Sequence, residues 1–166
     1  MALIITLDVN DEHGRQHFLE HVVPQALASL QTEARPAWGR MSAQQMAEHL
    51  TWAFECSTGA AQVDCPVPAE RRERMKSFLY DDQPSPREFM NPVLRAGLPP
   101  LRHPDLAAAL AALDGARRAF LEPPESDGPT AFTHPIFGPI GREEWSRVHC
   151  KHVLHHLEQF GLVATA

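Results

Sequence analysis

The stretch from Trp145 to Phe160 reads WSRVHCKHVLHHLEQF and carries four histidines within eight residues, at His149, His152, His155 and His156. The whole chain has ten in 166 residues, so a window of that size should hold about half of one at this composition. Rotated at ~100° per residue, Trp145, Val148, Val153, Leu157 and Phe160 share one arc, while Glu143, Glu144, Arg147, Lys151 and Glu158 occupy the other. Such a helix must bury one side. His149, His152 and His156 lie within the apolar arc and His155 at its polar edge. Every neutral imidazole has a donor and an acceptor that both need partners in a dry interior. A single buried histidine is ordinarily a core residue with one hydrogen bond, but three on one stripe ask for more. His152 and His156, four residues apart, stack two rings one turn apart, the arrangement by which a helix gives two nitrogen ligands to a divalent metal.

The chain contains its own control. His13, His17 and His21 repeat at the same spacing, yet Phe18, Leu19, Val22, Val23, Ala26 and Leu30 define the apolar arc of that helix and the three histidines lie opposite. They are expected to be solvated.

Four helical stretches stand out, separated by two proline-rich connections. The first runs from about Asp11 to Gln31, with a bend expected at Pro24. The second starts at Ser42, where Ser-Ala-Gln-Gln forms a capping box with Gln45, and continues to about Ser57. The third starts near Pro104 and runs through Leu106, Leu110, Leu113 and Phe120. The last follows Gly141 and stops at Gly161. Between the second and third lie Pro66, Pro68, Pro84, Pro86, Pro92, Pro99 and Pro100, with one short helix expected around Glu70 to Leu79. A second irregular stretch, Pro123 to Gly141, precedes the histidine helix. No strand pattern recurs, so the expected class is all-α, a four-helix bundle with long proline-rich crossovers, in a single domain over residues 1–166.

A catalytic zinc-type site ordinarily has three protein ligands and a position left for water or substrate. His49 is the candidate third ligand, because it shares the apolar arc of the second helix with Met46, Leu50, Ala53, Phe54 and Cys56, whereas Glu48, Thr51 and Glu55 point elsewhere. Gln45, one turn before His49, and Gln159, after His155 and His156, could each orient an imidazole. Cys56 is ~10.5 Å further along the axis, too far to share an ion with His49. No Glu-x-x-His or His-Glu-x-x-His occurs, which excludes the carboxylate di-iron bundles and the common metalloprotease helix. Neither site helix offers a buried carboxylate as a base for activating water.

The net charge of −6 and the absence of a long basic stretch argue against a nucleic-acid surface. Arg71, Arg72, Arg74 and Lys76 are interleaved with Glu70 and Glu73, which reads as a solvated helix face. The opening MALIITLDVNDEH has no basic region before its short apolar run and is not expected to act as a secretory signal. No segment reaches the ~20 apolar residues of a membrane helix. Cys56, Cys65 and Cys150 have no pairing pattern, as expected of free thiols, and a cytoplasmic location is the expectation.

His152-x-x-His155-His156-x-x-Gln159, together with Trp38-Gly39-x-Met41-Ser42 leading into the helix of His49, resembles the DinB/YfiT-like superfamily. The His134-Pro135-x-Phe137-Gly138 loop and Glu144-Trp145 resemble one of its uncharacterised branches, and the likeness touches the chain from about Trp38 to Gly161. The resemblance implies a four-helix bundle, often a homodimer, with a divalent metal, zinc or nickel among others, held by His49, His152 and His156. It places His155 outside the ligand set and leaves open whether His149 is a fourth ligand; His149, His155 and His134 are expected to line the pocket or orient the ligands. Characterised relatives include transferases and isomerases that use low-molecular-weight thiols. The leading expectation is therefore a metal-dependent transferase acting on a small-molecule substrate. The rivals are a hydrolase using metal-bound water and a bundle whose metal is only structural.

Overall fold

The computed structural model describes residues 1–87, 97–123, 125 and 127–166. Pro92, one of the crossover prolines, and position 124 of the second irregular stretch lie outside the described residues.

The first helical stretch consists of α1 (Glu12–His17), a π turn (Phe18–Val22) and α2 (Val23–Leu27). Pro24 has no N–H for the carbonyl four residues back, and its ring would crowd that carbonyl. The wider turn just upstream absorbs both, so the chain changes helical register there. Phe18, Leu19, Val23, Ala26 and Leu30 are buried.

Helix α3 (Ala43–Thr58) begins with the capping box expected from Ser42. The Gln45 N–H donates to Ser42 Oγ at 3.1 Å and the Ser42 N–H donates to Gln45 Oε1 at 2.9 Å. It stops at Gly59, whose φ is 79°. The short helix of the crossover is α4 (Ala69–Met75), followed by a 3-10 turn (Lys76–Leu79). Helix α5 (Leu106–Leu121) is capped by Asp105, which accepts from the Ala108 N–H at 2.8 Å, and Pro104 precedes the cap. Helix α6 (Arg142–Gln159) closes where Leu162 N–H donates to Leu157 O at 2.8 Å and Gly161 takes a φ of 65°.

The all-α four-helix bundle expected from the sequence is not what forms, because two small sheets accompany the helices and make this a mixed α/β fold. Strand β1 (Leu3–Ile5) pairs in parallel with β4 (Val163–Thr165), Leu3 opposite Val163. Strands β2 (Ala131–His134) and β3 (Gly138–Gly141) form an antiparallel hairpin, His134 opposite Gly138, within the stretch read as irregular. The strands have three or four residues, too few for an alternating pattern to register, and β3 is Gly-Pro-Ile-Gly, which reads as a turn.

One core cluster runs through the molecule, with Met46, Leu50, Phe54, Leu113, Trp145, Val153 and Leu157 almost fully buried. Burial of such a side chain stabilises by about 1.5–3 kcal/mol. Helix α3 packs along α5 on one side and faces α6 on another.

The polar arc of α6 and the side of α3 away from His49 are also covered. On α6, Lys151 donates to Asp81 Oδ1 and Gln83 O, both at 2.8 Å, and lies over the Phe78 ring. Arg147 bonds Glu143 Oε1 and Asn10 Oδ1 at 2.6 Å and lies over Tyr80. On α3, Thr51 is buried and Glu48, 8% exposed, accepts the Arg102 and His103 N–H groups at 2.7 and 3.0 Å. The crossover thus wraps the site helices and gives their charged side chains partners that a helical wheel cannot show.

Candidate metal centre

Helix α3 contributes His49, and α6 contributes His152 and His156 from successive turns. His49 Nε2 lies 2.8 Å from His152 Nε2, and His152 Nε2 lies 3.2 Å from His156 Nε2. One ligand atom from each of the three falls within 4.8 Å of the other two. The rings are steeply inclined to one another, with interplanar angles of 90°, 77° and 67°, and do not stack face to face.

The tautomer of His156 follows from its neighbours. Trp38 O can only accept, so the Gln159 amide nitrogen must face it, at 2.8 Å. That leaves Gln159 Oε1 to accept from His156 Nδ1 at 2.8 Å, which puts the ring proton on Nδ1 and a lone pair on Nε2. Such a partner orients a ligating imidazole and raises its basicity. Gln159 is itself held by the strap before α3, where Ala37 N–H donates to Gln159 O at 2.7 Å. Gly39 completes the strap. Its φ is 77°, and a Cβ there would lie 2.9 Å from Gln159 Nε2, so this position favours glycine on both counts.

The donor set fits a divalent transition metal. Four-coordinate zinc at ~2.0–2.1 Å from each nitrogen separates its ligands by about 3.3 Å, against 2.8 and 3.2 Å for the two pairs that include His152. Without an ion, three neutral rings bring more lone pairs to this point than their remaining N–H groups can satisfy. Burial favours the neutral rings a metal requires: it holds His49 down to about 4, with the charge of His155 adding to it, and His156 down to about 3, with His49 adding to it. His152 is pushed well below its ordinary value by burial and then by His49. Among the described residues no carboxylate, thiol or further imidazole joins the three.

The other candidate residues have different places. Gln45 spends its oxygen on the Ser42 cap, and no bond from it to an imidazole occurs among the described residues. His155, half-buried, stands edge-on to Trp38 and to His156 at ring-centroid distances of 5.5 and 5.1 Å, beside the cluster rather than in it. His134 accepts the Ile136 and Phe137 N–H groups on Nδ1 at 3.1 and 3.3 Å and so shapes the turn of the β2–β3 hairpin. Its ring is edge-on to Trp145, and burial lowers its pKa to about 3.

His149, expected to line the pocket, is fully enclosed at 0% exposure, stacked on Phe54 at 3.9 Å and on Trp145 at 5.3 Å. Ser57 Oγ gives its proton to Phe54 O at 2.7 Å, so it accepts from His149 Nε2 at 2.8 Å. His149 Nδ1 then carries a buried lone pair with no partner among the described residues. Burial, then the charge of His134, keeps this ring neutral. His13, His17 and His21 are exposed. Burial, and secondarily Glu55, pushes the Cys56 thiol up to about 11.

Sequence reasoning missed Ser57, Trp52 and Arg87. Ser57 meets His149 from 92 positions away, and Trp52 lies near-parallel to His49 at 6.1 Å. Only the position of Trp52, three residues after His49 on the same helix, could have signalled its place.

Fold and site define a small mixed α/β protein with a three-histidine group able to hold a metal ion. The chain belongs to the family described as "Protein of unknown function (DUF1569)", which matches residues 10–162, a span that includes all three histidines. No curated protein and no solved structure matches it. No helix among the described residues is long and apolar enough to cross a membrane.

Proposed function

We propose that this protein is a divalent-metal-dependent enzyme in which His49, His152 and His156 hold zinc or nickel, and that it transfers a group from a small electrophile to a low-molecular-weight thiol. One observation carries this reading: three imidazoles converge with no fourth protein donor among the described residues. Structural zinc is saturated by four protein ligands, whereas catalytic zinc keeps a position open. An ion held there supplies Lewis-acid chemistry, which lowers the pKa of a group bound at the open position.

The chain's own residues favour a thiol over water as the nucleophile. Among the described residues no carboxylate reaches the cluster, and the oxygens of Glu48 are committed to the backbone of Arg102 and His103. A thiol ionises at ~8.5 and needs no side-chain base as strong as water, at ~15.7, would. With its proton released to solvent, the sulfur would bond to the electrophilic carbon while the leaving group departs with the bonding electron pair. Gln159 and the Trp38–Gly39 strap keep the His156 ring in place, and Trp52 flanks His49. The resemblance of the final-helix motif to thiol-using DinB/YfiT-like proteins supports the same reading.

The test is turnover of zinc- and nickel-loaded protein with a panel of thiols and electrophiles, run beside ester and amide substrates. Thiol-dependent product that disappears in His49→Ala is the expected outcome. Ester or amide hydrolysis without a thiol would assign the site to a hydrolase, and no turnover of either kind by loaded protein would leave the metal a structural role.

A further inference from the structure

We infer that Arg87, mounted on Trp38 beside the three-histidine cluster, forms a subsite for the carboxylate of an anionic substrate. The inference rests on the proposed metal site for its setting and deepens it by naming the substrate class. The Arg87 guanidinium lies 4.2 Å from the centre of the Trp38 ring. Trp38 is edge-on to His155, and His155 is edge-on to His156, so the cation stands two ring contacts from a ligand nitrogen.

Arg87 is exposed and, among the described residues, makes no ion pair or hydrogen bond; it lies over Trp38 and within electrostatic reach of His155. Three cations on or against α6 are by contrast committed. Arg15 bonds Ser146 and Val9 O, Arg147 bonds Glu143 and Asn10, and Lys151 bonds Asp81. Among the described residues Glu158 is a carboxylate within electrostatic reach of His155, and its Oε1 accepts from Thr165 Oγ1 at 3.0 Å.

A guanidinium stacked on an aromatic face keeps its N–H edge free, and that planar fork matches a carboxylate through two parallel hydrogen bonds. The stacking fixes the cation in place before a ligand arrives, which reduces the ordering cost of binding. The backbone of Ser85 beside His155 holds the same segment against the site. A thiol or electrophile bearing a carboxylate would thus have its charged end held at Arg87, on the His155 side of the cluster.

The probes are 3-mercaptopropionate and 3-mercaptopropanol, which differ in the carboxylate, with inorganic phosphate as a third anion. The readout is the indole N–H resonance of Trp38, identified by its loss in Trp38→Phe, followed in both metal-free and zinc-loaded protein. A saturable shift with 3-mercaptopropionate is expected, with the alcohol at least tenfold weaker and Arg87→Gln losing at least tenfold in affinity while zinc content is unchanged. Equal binding of acid and alcohol, or an undiminished response in Arg87→Gln, would overturn the subsite, and preference for phosphate would overturn its assignment to carboxylates. Protein that binds no zinc yet shows the Arg87-dependent shift would refute the metal reading alone. Zinc-loaded protein without the shift would refute the subsite alone.

Discussion

His156 shows how a single side chain is prepared at this site. Its Nδ1 proton is fixed by Gln159, whose amide is fixed by Trp38 O, so Nε2 presents a lone pair where nitrogens of His49 and His152 also converge. Burial holds His49 down to about 4 and His156 down to about 3, and the pH dependence follows in sign. Above the ordinary histidine value of ~6.5 these rings are neutral in both folded and unfolded chains and contribute no slope. Below it the unfolded chain takes up protons that the folded one refuses, so stability of metal-free protein falls as pH drops from ~6.5 towards about 4 and then about 3. Melting temperature measured from pH 8 to pH 4.5 should be level in the upper part and decline in the lower. A profile that stays level throughout would mean the three rings are more solvated than their packing implies. The same depression lets the folded site keep its metal at a pH where an exposed histidine pair would be protonated.

At the scale of elements, α6 carries both a ligand pair and a structural histidine on one stripe. His149 sits three residues before His152, but its ring is filed between Phe54 of α3 and Trp145, with Ser57 as its only hydrogen-bond partner among the described residues. It joins α3 to α6 at the end away from the cluster and belongs to the core. His149→Ala should therefore destabilise folding by about 2–4 kcal/mol through the cavity it leaves, while folded protein retains its metal. Denaturant unfolding and elemental analysis of the same preparation check this together. Metal lost from a variant that remains folded at assay conditions would make His149 a ligand, close the site and favour a structural role for the ion.

Across the whole molecule, what could be read from the sequence was what local spacing encodes. Ser42 and Gly161 mark helix ends through caps made within a few residues, and the four-residue step from His152 to His156 puts both rings on one face. His49 was legible because its apolar neighbours aim the same arc inward. Contacts between distant positions were not legible. The strand Leu3–Ile5 exists because Val163–Thr165 lies beside it, and Lys151 is buried because Asp81 and Gln83 come to meet it. Glu48 likewise became interior once Arg102 and His103 presented their N–H groups. The fold class was misjudged on those pairings, whereas the histidine cluster was found because its logic is helical. The central claim is that this cluster holds an ion, and the most direct test is the metal content of protein purified without an affinity tag. About one divalent ion per chain is expected, with zinc or nickel in excess raising the melting temperature, and both effects lost in His152→Ala; an ion at 100 times its dissociation constant adds about 2.7 kcal/mol. Protein that contains no metal and shows no melting shift with zinc, nickel or manganese would contradict it.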